Sequence, residues 1–179
     1  LIYNMRNVRI LEKNQINSKG KVLLGSIQKY FNVNNKIHKM LPIITGKSKI
    51  SLRVIDWLVT NYSKKKNIIY ETDDNKIRHF NMYLEYKGQL KAYSKKYFDP
   101  FCRKDRITYC YDQKNEKCII TTIAQLNFFK WALKYKVLTY LEKNFDDIYH
   151  DMVFNKKNNS SLSEKSTTSS GRKVRTELS

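Results

Sequence analysis

Glycine and proline are scarce in this chain, five and two residues of 179, and where they fall excludes several chemistries. Gly20, Gly25, Gly46, Gly88 and Gly171 nowhere form G-x-G-x-x-G or G-x-x-x-x-G-K. Those patterns let backbone amides cradle phosphates, so dinucleotide and phosphate-loop chemistry is disfavoured and no small-molecule cofactor is expected. Nor is there a nucleophile-elbow pattern, and we expect a protein that is not an enzyme. Cys102, Cys110 and Cys118 stand eight residues apart with no C-x-x-C pair. That matches neither a zinc site nor a disulfide framework, and reduced structural thiols are expected. His38, His79 and His150 are isolated from one another, so no metal ligand set is expected. No apolar run approaches the roughly 18–20 residues that span a bilayer, and the first nine residues lack the apolar region of a signal peptide. The expectation is no membrane association and no secretion.

Acidic residues are few as well, 16 against 35 Lys and Arg, a formal net charge of +19. Such an excess favours acidic partners, with DNA or RNA foremost. Residues 41–154 alone hold 21 basic and 13 acidic residues, so the excess is not confined to the ends. Abundant Asn, Lys, Ile and Tyr also arise from AT-rich coding, which accounts for part of it.

Three regions are expected: residues 1–40, a polar extension of uncertain status; 41–154, an α+β domain; and 155–179, a disordered Ser/Thr/Lys-rich tail. The first has one apolar patch, Val22 to Leu24 with Ile27, Tyr30 and Phe31, compatible with a small helix. Ser48 or Ser51 can cap a helix with Leu52, Ile55, Leu58, Val59 and Tyr62 on one face, ending near residues 61–63. Ile68 to Tyr70 and Phe80 to Leu84 read as short strands separated by the turn-forming Thr72-Asp73-Asp74-Asn75, which predicts a hairpin. Residues 85–97 return to helical period and break at Asp99-Pro100, since proline disfavours helix in its predecessor. Arg106 to Tyr111 and Cys118 to Thr121 predict a second hairpin. Thr122 and Gln125 match a capping box opening a helix that is apolar nearly all round, the mark of an enclosed element. A further helix follows, with Leu138, Leu141, Phe145, Ile148, Tyr149 and Met152 inward and Glu142, Asp146, Asp147 and Asp151 outward. The fold class is therefore a single small α+β domain, about four short antiparallel strands in two hairpins against three to four helices, plus the tail. Beyond Phe154 the Ser/Thr-rich stretch cannot bury enough surface to offset chain entropy. Its Arg172-Lys173-Val174-Arg175 cluster reads either as an electrostatic tether or as a solvated tail.

Lysines interleaved with aromatic rings suit nucleic acid, because ammonium groups neutralise phosphates while exposed rings stack on bases. The candidate phosphate contacts are Lys64, Lys65 and Lys66, then Lys87, Lys91 and Lys95 at i, i+4 and i+8, and Arg103 and Lys104, with Arg106 extending the patch. Trp57 and Tyr93 are the candidate stacking rings. The tyrosines of 85–97 read equally as the buried face of an amphipathic helix. Trp57, off the apolar arc of its helix, reads either as a partner contact or as a contact with a second layer of the domain. A second hypothesis is a structural or interaction module that docks on another protein through Trp57 and the acidic-faced last helix. A third is an enzyme with polar groups converging around Asp56, His79, Asp99 or Arg103.

Three blocks, taken together and in this order, carry a family resemblance. Ser51-Leu-Arg-Val-Ile-Asp-Trp-Leu-Val-Thr-Asn-Tyr-Ser-Lys-Lys-Lys66, then Tyr86-Lys-Gly-Gln-Leu-Lys-Ala-Tyr-Ser-Lys-Lys96 with Phe98-Asp-Pro-Phe-Cys-Arg103, then Gln125-Leu-Asn-Phe-Phe-Lys-Trp-Ala132 resemble an uncharacterised small basic protein of nucleocytoplasmic large DNA viruses, the giant viruses. The resemblance covers roughly residues 40–179 and transfers no catalytic residue. It implies a viral origin and a place in the virion or the host cytoplasm (viral factory). It also implies Met40 as a candidate start, residues 1–39 as non-native and a truncated carboxyl end.

Overall fold

A computed structural model describes residues 10–33, 36–73, 79–112 and 114–166, with side chains as far as residue 155. Its centre is the helix α6 (Ile123–Lys134). Thr122 stops the preceding strand and caps this helix, its hydroxyl accepting from the Gln125 amide at 3.1 Å. Only that half of the expected capping box forms. The Gln125 side chain instead accepts from the Thr121 hydroxyl at 2.8 Å and donates to the Pro100 carbonyl at 2.8 Å, so it ties α6 to the chain turn beneath it. Leu126, Phe128, Phe129 and Ala132 are wholly buried, as the all-round apolar pattern predicts.

The other elements surround α6. Helix α1 (Ser18–Asn32) and α2 (Ile37–Ile44) come first, and Asn17 caps α1 by accepting from the Gly20 amide at 2.8 Å. Ile27 and Phe31 of α1 and Ile37 and Met40 of α2 are core residues, and α1 packs on α6. The core therefore extends well before residue 41, the expected start of the domain. The apolar patch at Val22 to Phe31 is too evenly spaced to be a solvated extension. Gly20 allows this approach, since a Cβ there would lie 2.8 Å from Ile16 Cγ2 and 3.3 Å from Ile123 Cδ1.

Ser51 caps α3 (Leu52–Trp57), accepting from the Val54 amide at 3.3 Å. A π-helical turn, Leu58–Tyr62, joins it to α4 (Ser63–Lys66). The helix thus outruns its expected end at 61–63 and stops at Asn67, whose left-handed φ of 46° asparagine tolerates. Strands β1 (Ile69–Glu71) and β2 (His79–Asn81) pair antiparallel with Tyr70 opposite Phe80. The second half of the predicted turn between them, Asp74 and Asn75, lies outside the described residues. The second strand is shorter than predicted because Asn81 caps α5 (Met82–Tyr97), its side chain accepting from the Leu84 amide at 3.1 Å.

Strands β3 (Arg106–Asp112) and β4 (Lys117–Thr122) make a separate two-stranded antiparallel sheet, and Leu11 adds a backbone bond to Arg106 at 2.7 Å on its edge. In this register Cys110 faces Cys118 directly, and the two form a disulfide. That corrects the expectation of three reduced thiols: eight residues apart is the wrong spacing for a zinc ligand pair but the right one for opposite positions on this hairpin. Cys102 is free.

The single helix expected after Lys136 is two, α7 (Val137–Lys143) and α8 (Phe145–Ser166), separated at Asn144. α8 passes the predicted end at Phe154, while residues 167–179, with the Arg172 cluster, lie outside the described residues. Asp146 and Asp147 face outward as expected, whereas the Asp151 side chain is only 13% exposed. The α+β class and both hairpins are thus found, with more helix than expected because residues 18–44 contribute two. No helix among the described residues is long and apolar enough to cross a membrane.

Candidate nucleic-acid interface

Helix α5 presents Lys87 and Lys91 to solvent. Tyr83, Lys87 and Lys91 follow at four-residue intervals, which places them on one strip of the helix. Lys64 joins that strip from α4, its Nζ 5.7 Å from the centre of the Tyr83 ring. The α4 and α5 cations, far apart in sequence, are therefore neighbours. Lys66 is exposed beside them. Lys65 is engaged elsewhere, in an ion pair with Asp151 at 2.5 Å.

The expected line does not continue straight to Lys95. Ser94 has φ 58° and ψ 168° inside α5, which interrupts the helical phase between Lys91 and Lys95. Lys95 remains exposed and its charge acts on Asp56. The Asp56 carboxyl is held above the usual carboxylate range, by burial first and then by the charge of Asp99, with Lys95 opposing both. Of the four polar groups considered for catalysis, Asp56 and Asp99 thus come close. His79 stands exposed on β2 opposite Glu71, and Arg103 belongs to a different cleft. The described residues contain no group of three or more His, Cys, Asp or Glu able to hold a metal ion.

Beyond α5 the chain turns at Asp99, whose Oδ1 accepts from the Phe101 amide at 2.8 Å. The following loop presents Phe101, 42% exposed, with Arg103 and Lys104 also exposed. It divides two clefts. One, of about 240 Å³, includes Asn17, Lys96, Tyr97 and Lys104 in its lining. There Lys19 and Lys96 lie 5.4 and 5.6 Å from the centre of the Tyr97 ring, and the Tyr97 hydroxyl donates to Asn17 at 2.9 Å. The other, of about 480 Å³, includes Thr45, Phe101, Arg103, Arg106 and Gln125. Arg106 Nε donates to the Arg103 carbonyl at 3.3 Å, which leaves the Arg103 guanidinium unengaged by this bond.

Both expected stacking rings are engaged within the domain. Trp57 is half-buried and its Nε1 donates to Asp151 Oδ2 at 3.0 Å, so of its two readings the second-layer contact is the one found. Burial works to raise the Asp151 pKa, but hydrogen bonds from Lys65 and Trp57 outweigh it and hold this carboxyl below its usual range. Tyr93 is half-buried and stacks on Phe98, ring centres 6.4 Å apart. The exposed ring of the patch is Phe101. Sequence reasoning did not single out Phe101, Lys19 or Lys96. Lys19 lay in a region read as an extension, and Lys96 fell off the four-residue line.

A fold of this kind, an α6-centred α+β protein with a cationic strip along α4 and α5, defines a class but not an activity. The chain belongs to a family of unknown function (DUF7197), whose model matches residues 5–177. It is also similar to the uncharacterized protein L507 of Acanthamoeba polyphaga mimivirus, with 41% identity over 162 residues, 88% of this chain and 58% of the relative. The chain therefore spans somewhat over half the length of that relative, a giant-virus protein. No solved structure matches it.

Proposed function

We propose that this is a non-enzymatic, basic viral protein that binds nucleic acid, serving genome packaging, genome organisation or late expression in the virion or the viral factory of the host cytoplasm. The observation behind this reading is the strip of Lys64, Lys87 and Lys91 around Tyr83, on a helix that contains one acidic residue, Glu85, against four lysines. The part of α5 before the interruption at Ser94, residues 82–93, extends for roughly 18 Å, long enough to follow a few successive phosphates of one strand.

The test is binding of the full chain to labelled single- and double-stranded DNA and RNA across a salt series. Each phosphate neutralised on duplex DNA contributes a slope of about −0.9 in log K against log salt. Lys87→Gln with Lys91→Gln should flatten that slope by roughly two contacts' worth, and Arg103→Gln with Lys104→Gln likewise. Absence of binding at low salt would overturn the reading. The alternative, an interaction module docking on other viral proteins, draws support from Phe154 on α8, 64% exposed, and Leu84 on α5, 63% exposed; it predicts association insensitive to salt.

A further inference from the structure

The larger of the two clefts beside the loop after α5, about 480 Å³, has the volume of a small-ligand site, roughly 300–1,000 Å³. Ile44, Leu52 and Ile120 give it apolar walls and Arg103 and Arg106 give it charge. No Asp or Glu is among the described residues that line it. Neither guanidinium takes part in an ion pair among the described residues. Arg106 is held in place by its Nε donation to the Arg103 carbonyl at 3.3 Å, and its remaining N–H groups are left for a ligand. A guanidinium presents a planar fork of donors that matches the oxygens of a phosphate, so two of them without a counter-charge favour that anion.

The same cleft carries an exposed aromatic ring, Phe101. The loop that presents it is fastened to the start of α6 at three successive points. The Asp99 amide donates to the Ala124 carbonyl at 3.4 Å, Gln125 Nε2 to the Pro100 carbonyl at 2.8 Å, and the Thr122 hydroxyl to the Cys102 carbonyl at 3.4 Å. A ring held this way loses little freedom on binding, and preorganisation converts contact into affinity. A ring and two guanidinium groups lining one cleft match the two things a nucleotide offers, a base face and a phosphate. A bare anion or a phosphopeptide uses the arginines and leaves the ring idle. In a duplex each base face is covered by its neighbours, so only an unpaired strand brings one to the ring. Gln125, whose amide accepts from Thr121 and donates to Pro100, is committed within the protein. Stacking rather than a hydrogen-bond code therefore governs which base is taken.

We propose that this cleft takes one unpaired nucleotide of a single-stranded nucleic acid, its base stacked on Phe101 and its phosphate held by Arg103 and Arg106. The inference rests on the nucleic-acid reading and deepens it by naming the substrate class, a single strand.

The full chain is titrated with a labelled short oligothymidylate, with its duplex with oligoadenylate, and with thymidine monophosphate as competitor. Phe101→Ala should weaken single-strand binding roughly five- to hundredfold and leave duplex binding unchanged. It should also leave the single-strand salt slope unchanged, because it removes no phosphate contact. Phe101→Tyr should retain the affinity, and Arg103→Gln should flatten that slope by about 0.7. Independently of the ring, Thr45→Glu sets a carboxylate in the cleft from an exposed position and should weaken single-strand binding. Val22→Ala should leave it unchanged, and thermal melting by circular dichroism should show every variant folded. If Phe101→Ala leaves single-strand binding intact, or weakens single strand and duplex to the same degree, the site is overturned but not the nucleic-acid reading. Thymidine monophosphate competing as tightly as the oligonucleotide itself means a free-nucleotide pocket and overturns the strand assignment. No binding of either nucleic acid at low salt overturns the nucleic-acid reading and this inference with it.

Discussion

Deleting residues 1–39, so that the chain starts at Met40, should abolish folding. The deletion removes α1 and the first turn of α2. Ile27, Phe31 and Ile37 are 0%, 2% and 2% exposed, and burying each such side chain is worth about 1.5–3 kcal/mol. The three together contribute roughly 4.5–9 kcal/mol on that scale, an upper range because unfolded chains already bury part of this surface. Leu23, Leu24 and Tyr30 pack on the same core and add to it. A domain's whole stability is about 5–15 kcal/mol, so the shortened chain loses most or all of its margin. The loss is not local, since Phe31 also meets Tyr109 of β3 at 6.4 Å and its removal undocks the second hairpin. Urea unfolding followed by circular dichroism measures this. Phe31→Ala should lower stability by roughly 3–5 kcal/mol, and Val22→Ala, at a position 74% exposed, by less than about 0.5 kcal/mol. A Met40-start chain that unfolds cooperatively with the midpoint of the full chain would refute the assignment of α1 to the core.

Two further outcomes follow from the geometry. The disulfide between Cys110 and Cys118 closes a short loop, and the chain-entropy model gives it about 2.5 kcal/mol. Cys118→Ser should therefore lower the melting temperature under oxidising conditions, and added reductant should lower that of the wild type but not of the variant; equal melting curves with and without reductant would refute the bridge. Asp56 has its folded-state pKa raised above 3.8, by burial first and Asp99 second. A carboxyl so placed favours folding when protonated, and its stability contribution is lost as pH rises from about 3.8 through the higher folded value. Asp56→Asn should therefore be more stable than the wild type at neutral pH, and that advantage should shrink as pH falls through the raised folded value and be gone below about 3.8; a variant less stable at pH 7 would show that the attraction of Lys95 dominates.

The parts of this protein legible in its sequence are those set by short-range chemistry. Ser51 and Thr122 announce helix starts because a hydroxyl reaches an amide three residues on, and the apolar circumference of 123–133 can only belong to an enclosed helix. Alternation around a polar loop does the same for the second hairpin. Local rules failed where a competing local choice was close in energy: Asn81 caps a helix where the sequence suggested three more strand positions, and Ser94 breaks a period that the spacing of the lysines continues.

For the candidate site, the sequence determined that the cations are in excess and that α5 holds several of them. Tertiary structure alone decided which of them are neighbours. Lys64 meets Tyr83, Lys65 and Trp57 both turn to Asp151, Lys96 and Lys104 share a cleft, and Cys110 finds Cys118. Most of these pairings join segments far apart in the chain, and the disulfide, though local, depends on a strand register that its spacing alone leaves open. The physical reason is that charge and capping act through one residue's own atoms or its near neighbours. Adjacency across α1, α5, α6 and α8 is set by how a single shared core packs, and no local pattern records it.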